Sequence, residues 1–286
     1  MSISSAGLDG GRLIDWSRTS ADYAAHRPGP PLRLYDLLAA LGVGVTGQRV
    51  LDLGTGTGLV ARELARRGAV VSGIDVAPGQ IAAARASARA EGLAVDFAVA
   101  AAEACPFAEA SFDVIVASQC WMYFDVDRTI AEVRRVLAPG GVLVTTHFSW
   151  LPRADAVARA SEALVLRLNP AWQGGDWSGR IAAEPAWAAG RARVDAMFWF
   201  DADVPFTRAD WRGRMRACRG VGAALSEAEV AAFDAALAEW LDAHTAPTFA
   251  VRHRVDAHVF TPWPSADVST PGPVAGAESS TPTAPT

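Results

Sequence analysis

The 286-residue chain contains no lysine. All 26 basic residues are arginines, set against 31 acids for a formal net charge of −5. Phosphate recognition needs clustered positive charge, so this balance argues against a nucleic-acid substrate. The densest basic group, Arg208, Arg212, Arg214, Arg216 and Arg219, falls on a predicted helix and reads as a solvated face rather than a phosphate track. Cysteine is equally scarce. Cys105, Cys120 and Cys218 lack paired spacing, which predicts neither disulfides nor a zinc site and fits a reducing cytoplasm. No apolar run reaches the ~18 residues of a membrane span. The N-terminus lacks a basic segment followed by an apolar core, so no signal peptide is expected. What remains, 51% hydrophobic and 20% charged residues, suits a soluble globular protein, and the length can hold one large α/β domain or a domain plus a cap. The oligomeric state is not legible.

The chain is organised around Val50-Leu51-Asp52-Leu53-Gly54-Thr55-Gly56-Thr57-Gly58. An apolar run ends in an acid, glycines alternate with threonines, and residues 59–67 read as a helix stopped by Gly68. That is strand, tight turn, helix. Glycine allows positive φ and lets a ligand approach bare backbone, while free N–H groups at the helix start face whatever docks there. A second strand, residues 69–75, ends in Asp75, 17 residues past Gly58. An acid at about that distance grips ribose hydroxyls in nucleotide-binding α/β folds. The dinucleotide fingerprint G-x-G-x-x-G would need glycine where Leu59 stands, which opposes a nicotinamide dehydrogenase.

The acid-x-G-x-G-x-G spacing from Asp52 to Gly58 resembles the first motif of the class I methyltransferases that use S-adenosylmethionine (SAM). Three further passages resemble the ubiquinone/menaquinone-biosynthesis-like (type 11) branch of that family. Glu103, Pro106 and Phe107 match its "D-A-E-x-L-P-F" stretch, Ser111-Phe112-Asp113 opens its fourth strand, and Leu137 to Leu143 carries "L-x-P-G-G-x-L". The resemblance runs from about Val50 to Phe148, half the chain. It departs in two places: the family aspartate that meets the adenine amino group aligns with Ala101, and a frequent histidine is Met122.

The resemblance implies a doubly wound, seven-stranded, mostly parallel sheet with a helical cap insertion. Residues 1–45 would form an N-terminal helical lid, 46–149 the SAM-binding half and 150–193 the cap over the acceptor pocket. Residues 194–263 would complete the sheet, and 264–286, rich in Pro, Thr, Ser, Ala and Gly, read as a disordered tail. The cofactor implied is SAM, held by Tyr23, Arg27, Asp52, Gly54, Thr55, Gly56, Gly58, Asp75, Val76, Gln80, Ser118 and Gln119. With Ala101 in the aspartate's place, Ala102 or Glu103 would meet the base. Predicted helices cover residues 16–26, 32–41, 78–91, 127–137, 154–168 and 208–218, with another opened by the capping box Ser226-Glu227-Ala228-Glu229. Predicted strands cover residues 95–99, 111–119, 142–148, 194–200 and 249–260.

Methyl transfer from a sulfonium needs positioning, dehydration and an acceptor in the right protonation state. A carboxylate or thiolate acceptor needs no base, whereas a phenol, amine or carbon acid calls for one. His147 and Tyr123 are the candidate catalytic residues; a hydrogen-bonded structural histidine and an aromatic packing residue are the plainer alternatives. Seven of the ten tryptophans lie between positions 121 and 211. Trp121, Trp150 and Trp177 are the candidate substrate wall, since indoles suit a flat or apolar small molecule, although filling a cap accounts for most of the others. The expected activity is methylation of a small organic acceptor, with secondary metabolism as one setting for it, without nucleic acid, membrane or metal. Two alternatives stand beside it: a SAM-binding protein or cyclase on the same scaffold that transfers no methyl group, and a protein or RNA methyltransferase.

Overall fold

Seven strands form one sheet in the computed structural model, which describes residues 8, 9 and 11–262. The tail expected over 264–286 lies outside the described residues. In chain order the strands are β1 (Arg49–Leu53), β2 (Val70–Asp75), β3 (Val95–Val99), β4 (Phe112–Ser118), β5 (Leu137–Trp150), β6 (Ala192–Thr207) and β7 (Thr248–Pro262). Their spatial order is β3-β2-β1-β4-β5-β7-β6. The first five are parallel, whereas β7 runs antiparallel to both β5 and β6.

Period-2 alternation divides the strand side chains between two apolar layers. Val50, Val114, Val116 and Val144 point into one. It is completed by α2 (Leu32–Ala40), α3 (Leu59–Arg66) and α4 (Pro78–Ala90), together with α6 (Ala156–Leu168), α7 (Arg208–Arg216) and α8 (Glu227–His244). Leu51, Leu53, Ile115, Ala117 and Leu143 point the other way, onto α5 (Val126–Val136). Parallel strands covered on both faces read as near-continuous apolar runs, and β1 and β4 do so apart from Arg49 and Asp52 in the first and Asp113 and Ser118 in the second.

Several boundaries differ from the sequence reading. The first predicted helix is a 3-10 turn, Trp16–Thr19, followed by α1 (Ser20–His26), because the Asp15 side chain accepts from Ser17 N and caps the turn early. α8 carries the expected capping box, with Ser226 and Glu229 each bonding the other's backbone. β5 is longer than predicted and continues to Trp150, because its last four residues pair with β7 from Asp256 back to His253. That extension matters for the site. β4 ends at Ser118 opposite Thr146, so residues 147–150 overhang it and present a free edge.

The arginine group on α7 is not a solvated face. Arg212 and Arg216 converge on Asp234, Arg216 also reaches Asp22 at 2.7 Å, and Arg208 pairs with Asp242 at 2.8 Å. Arg214 is buried. Acids far away in sequence supply the partners, which a local reading of charge cannot see.

Candidate active site

A cavity of ≈ 1360 Å³ opens at the carboxyl ends of β1, β2, β4 and β5, the crevice where open α/β sheets bind ligands. Single-ligand sites run to about 1,000 Å³, so there is room for a cofactor and a second molecule. A small recess of ≈ 30 Å³ adjoins it at Asp52, Gly54 and Thr55.

One side of the cavity is built from the loop after β1. Gly54 has φ +60°, and a Cβ there would stand 2.9 Å from Cys120 Cβ and Sγ. Gly56 has φ +55°, yet the nearest atoms to a Cβ would be Gln80 Oε1 and Tyr23 Cε1 at 3.9 Å. Gly54 is therefore demanded by close packing, whereas Gly56 keeps open the space a ligand would fill. Asp75 accepts from Gly56 N and Ala77 N, both at 2.9 Å, which ties the end of β2 to the loop. Burial pushes its carboxyl up, although those backbone N–H groups pull the other way. Asp52 is fully enclosed. Burial lifts its carboxyl to about 7, opposed by the Thr55 hydroxyl, which donates to it at 2.6 Å.

Most of the residues expected to bind cofactor border this space. Tyr23, Arg27, Gly54, Gly56, Asp75, Val76, Gln80, Ala102, Ser118 and Gln119 line the cavity, with Asp52 and Thr55 in the recess. Arg27 lies over the Tyr23 ring, 4.6 Å from its centroid. Two of the expected residues are engaged elsewhere. Gly58 lies where a Cβ would meet the Phe97 ring at 2.9 Å, so it serves the packing of α3 on the sheet. Glu103 accepts from Asp125 N at 2.9 Å and is not on the cavity wall. Gln119 adopts φ +62°, uncommon for a non-glycine residue, and its side-chain amide donates to the Phe148 carbonyl on the free edge of β5.

The opposite wall comes from β5, β7 and residues 172–187. His147 faces Asp256 directly across the β5–β7 pairing, and its Nδ1 lies 3.0 Å from Asp256 Oδ2. His258, two residues along β7 and on the same face, approaches Asp256 Oδ2 at 3.7 Å and contacts the Ala182 carbonyl through Nε2 at 2.8 Å. Burial pushes the Asp256 carboxyl up, but the two histidines outweigh it and hold the group below the usual range. Burial likewise pushes the His258 imidazole down, and Asp256 and Ala182 bring it above its ordinary value. All three residues line the cavity. Asp256 and His258 were invisible to sequence reasoning. The alternation of the last strand placed them on one face, but only the pairing register showed which face and beside what.

Tyr123 also lines the cavity, but it packs edge-on against Trp16 at 5.5 Å and lies under Arg219 at 5.2 Å. Burial pushes its hydroxyl above the usual phenol range, which disfavours the phenolate a base would need. Trp121 stacks against Trp187 at 4.5 Å, and Trp150 donates its indole N–H to Glu162 at 2.6 Å. Both line the cavity with Trp177.

The residues present fit a SAM-sized ligand. Gln80 Oε1 and Trp121 Nε1 are buried on the cavity wall without a protein partner, and buried polar atoms left unpaired are costly unless a ligand or water meets them. Residues 51–145 match the methyltransferase domain family. The chain is 44% identical over 109 residues to the demethylmenaquinone methyltransferase of Thermus thermophilus, covering 37% of this chain and 50% of that protein. It is 35% identical over 133 residues to a ubiquinone biosynthesis O-methyltransferase of Cereibacter sphaeroides, covering 46% and 53%. The chain thus spans about half the length of the curated relatives it matches. A solved structure from Anaeromyxobacter dehalogenans, assigned as a type II methyltransferase, aligns with a TM-score of 0.55 and 25% identity over 82% of this chain and 96% of that one.

The fold is that of the class I methyltransferases, and residues 51–145 are similar to the methyltransferase domain family. The curated relatives matched over that stretch carry the names of menaquinone and ubiquinone methyltransferases. Among the described residues, no helix is long and apolar enough to cross a membrane.

Proposed function

We propose that this chain transfers a methyl group from SAM to a small organic acceptor, with His147 as general base. The carrying observation is the His147–Asp256 pair, 3.0 Å apart on the wall of the cavity that also contains Gly56 and Asp75.

SAM supplies a methyl group already activated on a sulfonium, with a neutral leaving group. Asp75, whose oxygens each hold one backbone N–H, keeps lone pairs for the ribose hydroxyls. Arg27 and Tyr23 would hold the amino-acid end of SAM, and Ala102 would border its base. If His147 donates Nδ1–H to Asp256, Nε2 is left to accept a proton from a hydroxyl or acidic carbon. Asp256, held ionised, stabilises the imidazolium that forms and fixes the ring's orientation. Trp121, Trp177 and Trp187 exclude water and set a flat boundary.

Relatives that methylate quinone precursors support a small-molecule acceptor, and a cytoplasmic setting suits one. A role in secondary metabolism would follow if that acceptor is a specialised metabolite. The test has two parts. Calorimetry should show SAM and S-adenosylhomocysteine binding, and a panel of phenols, amines, thiols and carboxylic acids should yield acceptor-dependent release of S-adenosylhomocysteine. No binding of either nucleoside would overturn the reading; binding without turnover on any acceptor would favour the non-methylating alternative.

A further inference from the structure

The cavity holds a buried cationic feature apart from Arg27. Arg214, on α7, is only 6% exposed yet lines the cavity. Its guanidinium lies 4.8 Å from the centre of the Trp150 ring, and among the described residues no carboxylate or carbonyl hydrogen-bonds to it. The neighbouring arginines 208, 212 and 216 on the same helix all have acidic partners. The groups that act on the Arg214 charge are Arg27, which opposes it, and Cys218 and Tyr23. Burial and then Arg27 push the guanidinium well below the usual arginine range. A buried charge without a partner is costly and persists where something else compensates it.

The acids that line the cavity are committed elsewhere, Asp125 among them through Arg128 N. Glu162 accepts from Trp150 Nε1 and Asp176 N, Asp75 from two backbone N–H groups, and Asp256 from His147. The compensating anion must therefore arrive with a ligand. The free edge of β5 shows which ligand. His147 and Trp150 project to opposite faces of β5, but residues 147–150 overhang the end of β4, so both border one cavity. Their positions are about 10 Å apart along the strand at ~3.3 Å per residue.

We propose that Arg214 is the binding site for a carboxylate carried by the methyl acceptor, a planar molecule that lies across the overhanging edge of β5. Carboxylate is favoured over a phosphate dianion because one planar guanidinium fork matches one planar, singly charged group. A flat body suits the Trp150 ring beside it, with Trp172 on the same cavity. The assignment rests on the methyltransferase reading, and it separates two anions: the carboxylate of SAM goes to Arg27, that of the acceptor to Arg214.

The experiment uses the full chain saturated with S-adenosylhomocysteine. It is titrated with 4-hydroxybenzoate and, separately, 4-hydroxybenzamide, read by tryptophan fluorescence and calorimetry. The acid should bind at least tenfold more tightly than the amide. Arg214→Met should abolish that preference, and Arg214→Lys should keep part of it. S-adenosylhomocysteine affinity should stay within about twofold in both variants and fall in Arg27→Met. An acid that binds no better than the amide, or not at all, overturns the proposal. So does a loss of S-adenosylhomocysteine affinity in a folded Arg214→Met protein equal to that of Arg27→Met, since Arg214 would then hold the cofactor. Nucleoside binding by the parent protein reports independently on the underlying methyltransferase reading.

Discussion

The side of the cavity proposed for the cofactor and the side proposed for the acceptor are built in different ways. The first is assembled from short-range pieces: β1, its glycine loop, α3 and the end of β2, all within residues 49–75. Its central bond, Gly56 N to Asp75, joins residues 19 apart. The second is assembled from distant segments. His147 meets Asp256 across 109 residues, and His258 reaches Ala182 across 76. A local site is dictated by backbone conformation, so glycine spacing announces it. A site made by strand pairing is dictated by register, and no single stretch carries its signature.

Substitutions can break this contrast, and the largest effect should fall on the long-range side. His147→Ala should lower turnover by ~10²–10⁴ with SAM affinity nearly intact. Asp256→Asn should weaken turnover in the same direction while the protein stays folded by circular dichroism. Near-parent activity in His147→Ala would move the chemistry elsewhere, and a carboxylate as the methylated group would make that outcome the expected one, because such an acceptor needs no base.

Next in size is the short-range side. Asp75→Ala should weaken SAM binding by ~10–100-fold, the scale of a charge-assisted hydrogen bond. The loop itself loses an anchor, because Asp75 also holds Gly56 N and Ala77 N. Calorimetry on Asp75→Asn sharpens this: a partial recovery of affinity would show how much belongs to loop order rather than charge.

The smallest effect concerns stability. Burial lifts the Asp52 carboxyl to about 7 against the hydrogen bonds from Thr55 and Ala61. In the unfolded chain that group loses its proton near pH ~4. Between those values the folded state holds the proton and the unfolded state does not, so this group's contribution falls as pH rises from about 4 to about 7 and is level above. Asp52→Asn removes the titration. Its melting temperature relative to the parent should climb by a few degrees between pH 5 and pH 8, and a difference independent of pH would show that Asp52 is ionised throughout.

The sequence by itself determined the parallel half of the sheet, the glycine loop and Asp75, because period-2 alternation, turn-forming glycine and a strand-terminal acid are local consequences of chain geometry. It also singled out His147, by its place at the end of a predicted strand. Two of the residues it named line neither the cavity nor its recess. Gly58 and Glu103 fit a linear motif, but one packs against Phe97 and the other holds Asp125 N. The fate of the arginines on α7 was decided by Asp22, Asp234 and Asp242, none of them near in sequence to all of those arginines. What only the tertiary structure decided is the pairing of β5 with β7. That antiparallel register sets Asp256 opposite His147 and carries β5 four residues past the end of β4. A shift of one residue would turn Asp256 to the other face, because the side-chain period of a strand is two.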